Sequence, residues 1–560
     1  MSANMTGGQY IARALAAHDV KHVFFMDAIL RRTLVEMEDV GIARILAHSE
    51  KGAAYMADGY ARISRKPGVC MCQSVGAANL AAGLQDAFLG QSAVIALTGR
   101  QPAPMQYRNA YQEIPHEPLF FPVTKASMRV DVPEQLPLLL RQAFRIATTG
   151  TPGPVHLDIA GHTGDVIGAA VCDFPIPSGC EHVSFPSHRA SAEPVRIEKA
   201  AALIAQAERP ILVADMGLVI SAAENDLREF VEHLDIPVVA SLDAKAVLPE
   251  KHRLNAGVVG TYSRDCANRS VNDSDLVIYA GSKVGDQVSN NWSLPNHNVR
   301  VIQIDCDPAE VGRNYPNALG LVGDPLIVLQ QLRVACPAKR HEAWVEQVQG
   351  YVREWRESYE AVRTRSDGLR IRPELLCTVL GECLPSDAIL VTDTGYSSQW
   401  TGTLTDLNHE GQRYYRASGS LGWGFPASLG AKLAEPNKPV VCFTGDGGFM
   451  YHMPELETAL RWKLNTITVI NNNGCLAQGA RSINAAYEGH VGNRREIFHY
   501  LPMDFSKIAQ AMGCIGMRVE RIEDFPTVFE RALAARAPVI IDVITDPEAL
   551  APLPWCSAST

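Results

Sequence analysis

Two apolar runs, residues 439–443 (PVVCF) and 466–470 (TITVI), each end in a polar cluster, with a helical pattern at 456–461 (LETALR) between them. Short apolar runs bounded by turn residues read as buried strands, and the pattern between them as the crossover helix of a βαβ unit. The clusters are Gly445-Asp446-Gly447-Gly448 and Asn471-Asn472-Asn473-Gly474. They therefore stand at the carboxyl ends of neighbouring parallel strands, where open α/β sheets bind ligands. Asp446 and Asn473 are 27 positions apart. Asp and Asn oxygens are hard ligands suited to Mg²⁺, which keeps waters and substrate phosphates in its shell. Glycines flanking Asp446 admit the close approach of a diphosphate. An Asp-Gly turn or a polar loop explains either cluster alone; both in register on one βαβ unit point to a site.

The same alternation of strand and helix runs through all 560 residues. Residues 93–97, 211–214, 276–280, 388–391 and 539–543 are further buried-strand runs, most followed by helical periodicity. The fold class expected is α/β, with doubly wound parallel sheets. A Pro/Ser/His-rich stretch at about 169–194, including Phe174-Pro175-Ile176-Pro177-Ser178-Gly179, reads as a linker. A charged stretch at about 337–368, helical around Trp344 to Arg363, reads as a second connection. Three domains follow, at 1–170, 190–336 and 369–560. A net charge of −10 without a compact basic stripe argues against nucleic acid. No apolar stretch approaches the roughly 20 residues of a membrane span, and the N-terminus carries no signal-peptide pattern. Thirteen scattered cysteines with no completed zinc pattern suit reduced thiols in the cytoplasm.

The GDG and NN pair resembles the signature of thiamine diphosphate (ThDP) enzymes. The stretch His48-Ser49-Glu50-Lys51-Gly52-Ala53-Ala54-Tyr55-Met56-Ala57-Asp58-Gly59-Tyr60-Ala61-Arg62 is similar to the acetolactate synthase-like branch of that family. So are Gln73-Ser74-Val75-Gly76-Ala77-Ala78-Asn79-Leu80, Tyr111-Gln112-Glu113, Val123-Thr124-Lys125 and Thr151-Pro152-Gly153-Pro154-Val155-His156-Leu157-Asp158. The resemblance covers nearly the whole chain. It implies pyrimidine-binding, central and diphosphate-binding domains, with active sites formed between the first domain of one chain and the third of another. A homodimer is then the minimum and a homotetramer common.

The resemblance also implies roles. Asp446, Asn473 and the carbonyl of Cys475 hold Mg²⁺ for ThDP. Glu50 hydrogen-bonds the aminopyrimidine, so that the cofactor generates its own C2 ylid. Asn79 belongs to the same domain's cofactor contacts, and Gln112 lines the active site, with Lys125 near the substrate channel. Thr394, Gly395, Tyr396 and Ser397 in the stretch from Asp393 to Ser398 hold the diphosphate, as do Gly445, Gly447 and Gly448 around the metal. Gly419 and Ser420 precede Leu421, which takes the place of the apolar wedge that bends the cofactor into a V. Gln478, Glu488 and His490 lie in a segment facing substrate in the family, with a solvated loop as the alternative. The loop from Val23 to Leu30 lacks the family's Gly and Pro; Asp27 there is either an acid or base in the site or the cap of the next helix. In the central domain, Ile304-Asp305-Cys306-Asp307-Pro308 matches a motif that meets adenosine ribose. The flavin-binding arginines are missing, which argues against FAD and leaves ADP or a CoA ester open beside a purely structural role.

The activity implied is C–C bond cleavage or formation on a small-molecule substrate, led by a 2-oxo acid decarboxylase or carboligase resembling acetolactate synthase. A 2-hydroxyacyl-CoA lyase or related carbonyl-releasing lyase is the alternative. A non-catalytic regulatory paralogue is the third reading, against which intact Glu50, Asp446 and Asn473 speak.

Overall fold

A computed structural model describes residues 5–27, 30–161, 165–171, 176, 181–363 and 370–556. Three six-stranded sheets carry the chain, and every strand pair within them is parallel. The first contains β1 (His22–Met26), β2 (Ala43–Leu46), β3 (Gly68–Gln73), β4 (Val94–Arg100), β5 (Ala126–Val130) and β6 (Val155–Ala160). Its spatial order is β2-β1-β3-β4-β6-β5. The second contains β7 (Pro210–Ala214), β8 (Val238–Ala240), β9 (Asn255–Val258), β10 (Leu276–Ala280), β11 (Arg300–Asp305) and β12 (Leu319–Val322). Its order, β9-β8-β7-β10-β11-β12, is that of the dinucleotide-binding fold. The third contains β13 (Ile389–Thr392), β14 (Arg413–Arg416), β15 (Val440–Gly445), β16 (Ile467–Asn472), β17 (Ile515–Val519) and β18 (Val539–Ile544). Its order, β14-β13-β15-β16-β18-β17, repeats that of the first.

The strands at the centres of these sheets are buried along their length, as parallel strands covered on both faces must be. Among the described residues no helix is long and apolar enough to cross a membrane, and the cysteines are free thiols, most of them buried.

The outer sheets are locked together through helices. The helix α1 (Glu50–Ser64) is capped by the Ser49 hydroxyl, which accepts from the Gly52 amide at 2.9 Å. It crosses α4 (Gly424–Ala434) at very close range, leaving room only for hydrogen at two positions. A Cβ at Gly59 would lie 2.2 Å from the Ala427 carbonyl oxygen, and one at Gly430 2.0 Å from that of Met56. Beside this crossing Arg62 donates to Asp58 at 2.7 Å and to Asp86, on α2 (Gly76–Leu89), at 2.8 Å. Its guanidinium also lies 4.7 Å from the Trp423 ring, whose Nε1 donates to Asp58 at 2.8 Å.

The two stretches read as connections are tied down where they are described. Ala170–Val171 pairs antiparallel with Met5–Thr6, and Phe185 is buried. The helix Glu342–Arg363 packs Trp344 and Val348 into the middle unit, with Trp344 Nε1 donating to the Pro210 carbonyl at 2.9 Å. Residues 174–175, 177–179 and 364–368 of these stretches lie outside the described residues, as do Ala28 and Ile29 of the first loop.

Candidate active site

β15 and β16 pair in parallel, with Gly445 opposite Asn471, so their polar ends continue the ladder and lie side by side. Asp446 opens the next short helix and is buried. One oxygen of its carboxylate accepts from the Gly447 amide at 2.8 Å and the other from the Gly474 amide at 2.6 Å. Burial pushes this carboxyl up to about 6, against the pull of those amides. Alternation along β16 separates its asparagines. Asn471 and Asn473 line a cavity of about 520 Å³, whereas Asn472 turns away and donates to Asp542 at 2.8 Å. Asn473 Oδ1 accepts from the Cys475 amide at 3.2 Å, and Cys475 also lines the cavity.

Across the cavity stands the turn between β13 and α3 (Tyr396–Leu404). Gly395 adopts φ +70°, a left-handed conformation, and the first amides of α3 follow it. Thr394, Gly395, Tyr396 and Ser397 all line the cavity, as do Gly445, Gly447 and Gly448. Leu421 projects from a loop pinned on both sides. Asp86 of the first unit accepts from the amides of Ser418 and Ser420, at 3.0 and 2.9 Å. Asp393 accepts from the Gly422 amide at 3.0 Å; burial raises this carboxyl to about 6. Gly419 and Leu421 reach the cavity. Ser420 does not, because its hydroxyl faces Gln85, which donates to it at 2.7 Å.

These residues fit a metal-bound diphosphate. The donor set around Asp446 and Asn473 is hard oxygen, as Mg²⁺ requires, and amides at a strand-to-helix turn suit phosphate. The buried Oδ1 of Asn471, a residue that lines the cavity, has no hydrogen-bond partner among the described residues. Buried polar atoms are rarely left so, and a bound group would supply what is missing.

Glu50 is not part of this cavity. It begins α1 in the first unit, where Asn79 donates to its carboxylate at 2.8 Å. A Cβ at Gly76 would lie 2.4 Å from that carboxylate, so the glycine gives it room. Within one chain Glu50 and the Asp446 cavity thus stand on different outer sheets. Four further candidates also stand apart from the cavity. Asp27 is exposed and ion-paired with Arg31 at 2.9 Å; it does not cap the next helix, whose N-cap, Leu30, makes no side-chain cap bond. Gln112 sits in a turn at φ +61°, where its backbone carbonyl accepts from Ser74 Oγ. Glu488 and His490 are exposed beyond the helix Ala480–Ala486. Gln478 does line the cavity and donates to Tyr262 at 2.7 Å. Lys125 has a structural role: its ammonium donates to the carbonyls of Ile146, Thr149 and Thr151 at 2.6, 2.8 and 2.7 Å.

Sequence reasoning missed Asn471, which only strand alternation separates from Asn472. It also missed Ile483 and Phe498, which close the cavity from a segment without a fixed motif.

A second cavity, of about 350 Å³, lies between the middle unit and the outer two. Asp215, Asp243 and Asp286 line it. Its cations already face acceptors: Arg416 meets Asp243 at 2.7 Å, and Lys283 stands 3.7 Å from Glu310. Three carboxylates and two partnered cations thus line this cavity, and the 304–308 motif read for adenosine is not part of its lining.

Fold and site together define an enzyme that binds a thiamine cofactor at the carboxyl ends of its last sheet. Family models described as the N-terminal TPP binding domain, the central domain and the C-terminal TPP binding domain of thiamine pyrophosphate enzymes match residues 5–119, 197–332 and 393–543. The chain belongs to the thiamine pyrophosphate enzyme family, in its acetolactate synthase-like branch. Its relatives include a probable acetolactate synthase large subunit of Methanocaldococcus jannaschii, 33% identical across 98% of this chain and 93% of that protein. The acetolactate synthase large subunit of Corynebacterium glutamicum is 31% identical across 97% of this chain and 87% of its own length. The acetolactate synthase of Arthrospira platensis is 31% identical across 96% and 94%.

Proposed function

We propose that this chain is a ThDP- and Mg²⁺-dependent carboligase resembling acetolactate synthase, joining two carbonyl compounds of which one is a 2-oxo acid that loses CO₂. The observation that carries the reading is the pair Asp446 and Asn473 on adjacent strand ends beside the unpartnered Asn471. When bound, the cofactor supplies a carbon nucleophile and a sink for the electrons of the broken C–C bond. The protein's part is to hold and orient. Asp446, Asn473 and the Cys475 carbonyl would take the metal; Thr394 to Ser397 would take the diphosphate. Leu421, fixed by Asp86 and Asp393, would set the angle between the rings. Glu50, kept in place by Asn79 and given room by Gly76, would hold a proton against the pyrimidine nitrogen.

The separation of Glu50 from the metal residues supports a homodimer at least, in which the Glu50 half of one copy completes the cavity of another. The three sheets support units at 1–170, 190–336 and 369–560. The competing lyase reading calls for a CoA ester, and the charges of the middle cavity speak against one.

The test compares wild type with Glu50→Gln. The variant is expected to bind ThDP, by calorimetry, with an affinity near that of wild type. Its C2 proton exchange, followed by NMR, is expected to slow by about 10²-fold or more. Equal exchange rates would remove Glu50 from the reading. Wild type that binds no ThDP in the presence of Mg²⁺ would remove the reading itself.

A further inference from the structure

The third large cavity, of about 600 Å³, opens at the carboxyl edge of the first sheet and is lined by Ser74, Arg100, Glu113, His116, Arg129 and Asp158, among others. It borders the Glu50 half-site. Ser74 lines the cavity, and two residues on, Gly76 lies against the Glu50 carboxylate.

Its floor is a buried polar hub. Thr98 Oγ1 lies 2.7 Å from His156 Nε2, 3.1 Å from Asp158 Oδ1 and 3.2 Å from His116 Nδ1. His116 Nδ1 is 2.9 Å from Asp158 Oδ1. The ligand atoms of these two histidines and the aspartate are within 4.8 Å of one another. The Thr98 hydroxyl bonds all three, so the group is a closed hydrogen-bond hub and not an ion cage. Asp158 is held below the ordinary carboxylate range by His116, against its own burial, and so stays an acceptor. An ionised carboxylate only accepts, which places a proton on His116 Nδ1. The other ring nitrogen, Nε2, is buried and has no partner among the described residues. The His116 side chain is 0% exposed. An aspartate that fixes a histidine tautomer and leaves Nε2 free is the arrangement that proton transfer uses. His156, on the far side of the hub, is committed to Thr98 and to Ser127 at 2.8 Å and has no free nitrogen.

We propose that His116, oriented by Asp158, is a catalytic acid for the substrate of this reaction. As the new C–C bond forms at the acceptor's carbonyl carbon, the C=O π pair moves to oxygen. That oxygen takes the proton from His116 Nε2, and the imidazole, left neutral, regains a proton from water in the cavity. The balance is one proton consumed for each hydroxyl made. The groups around His116 are Asp158 and His156 on β6 and Thr98 on β4, with Arg100 on β4, Arg129 on β5 and Glu113 and Glu117 of its own loop lining the same cavity; Asp131, after β5, pairs with Arg100. The proposal rests on the carboligase reading, so the experiment is built to separate the two.

Wild type, His116→Gln and Asp158→Asn are loaded with ThDP and Mg²⁺ and given pyruvate. C2 proton exchange is read by NMR, and the joined product against free aldehyde by chromatography, from pH 5.5 to 9. The proposal expects wild-type product formation to fall on the alkaline side. In His116→Gln it expects joined product lower by about 10²-fold relative to aldehyde, with that alkaline limb gone and C2 exchange retained. Asp158→Asn is expected to move the limb, and it decides the matter if His116→Gln does not fold. Normal exchange with an unchanged ratio and limb in the variants would overturn the role of His116 alone. Absent exchange in wild type would overturn the carboligase reading and this proposal with it.

Discussion

His156 shows what burial does to a single ionisable group in this chain. Its ring stacks on Phe120 at 3.6 Å, and both its nitrogens are bonded to hydroxyls. Burial lowers it to about 3, against the pull of Asp158. Its folded value thus lies below the ordinary value of about 6.5. The stability it contributes is complete above that value and is lost as pH falls through it toward 3, where only the unfolded chain binds the proton. His156→Gln is therefore expected to have a lower Tm at pH 7 but a flatter decline between pH 6.5 and 4 than wild type, by calorimetry. Parallel profiles would show that His156 does not carry this acid sensitivity. Nothing in the residue order signals this: His156 was legible only as part of a domain-end motif. Its partners Thr98, Ser127 and Phe120 come from three other segments, brought together by the sheet order. Asp446, by contrast, stood out because each of two strands that pair in the sheet ends in its own short polar cluster.

Among the elements, the crossing of α1 and α4 is the tightest junction between the outer units. A methyl group at Gly430 would meet backbone atoms at 2.0 and 2.8 Å, which do not swing aside as a side chain would. Gly430→Ala is expected to cost about 1–3 kcal/mol or more and to lower Tm by several degrees in a thermal melt. Gly350→Ala on the helix Glu342–Arg363, where the nearest atom is 3.9 Å away, is the control and should be neutral or slightly stabilising. Equal effects at the two positions would refute the close-packing account. Strand runs such as residues 276–280 and 539–543 were readable because parallel strands buried on both faces carry unbroken apolar sequence. The glycines of the crossing were not, since Gly59 fits a helix motif equally well whether its surface meets water or another helix.

In the molecule as a whole, the middle unit is joined to the last by buried charge. Lys245 donates to Glu250 at 2.5 Å, and Arg264 bridges Glu250 at 2.7 Å to Asp406 at 2.8 Å. Removing the shared anion strands the buried Lys245 ammonium and leaves Arg264 with Asp406 alone, and such a loss costs about 3–5 kcal/mol. Glu250→Ala is expected to show that loss in denaturant melts, with Tyr or Trp fluorescence reporting on the C-terminal unit as well; a loss under about 1 kcal/mol would contradict it. The repeated strand order of the outer sheets has a further meaning. After the second strand of each, one copy carries Glu50 and the other Leu421; after the third, one carries Gly76 and the other Asp446; after the fourth, one carries the His116 loop and the other Asn473. Equivalent loops hold different parts of one apparatus. Two sheets of one design thus divide the proposed apparatus between them, and neither carries the whole of it.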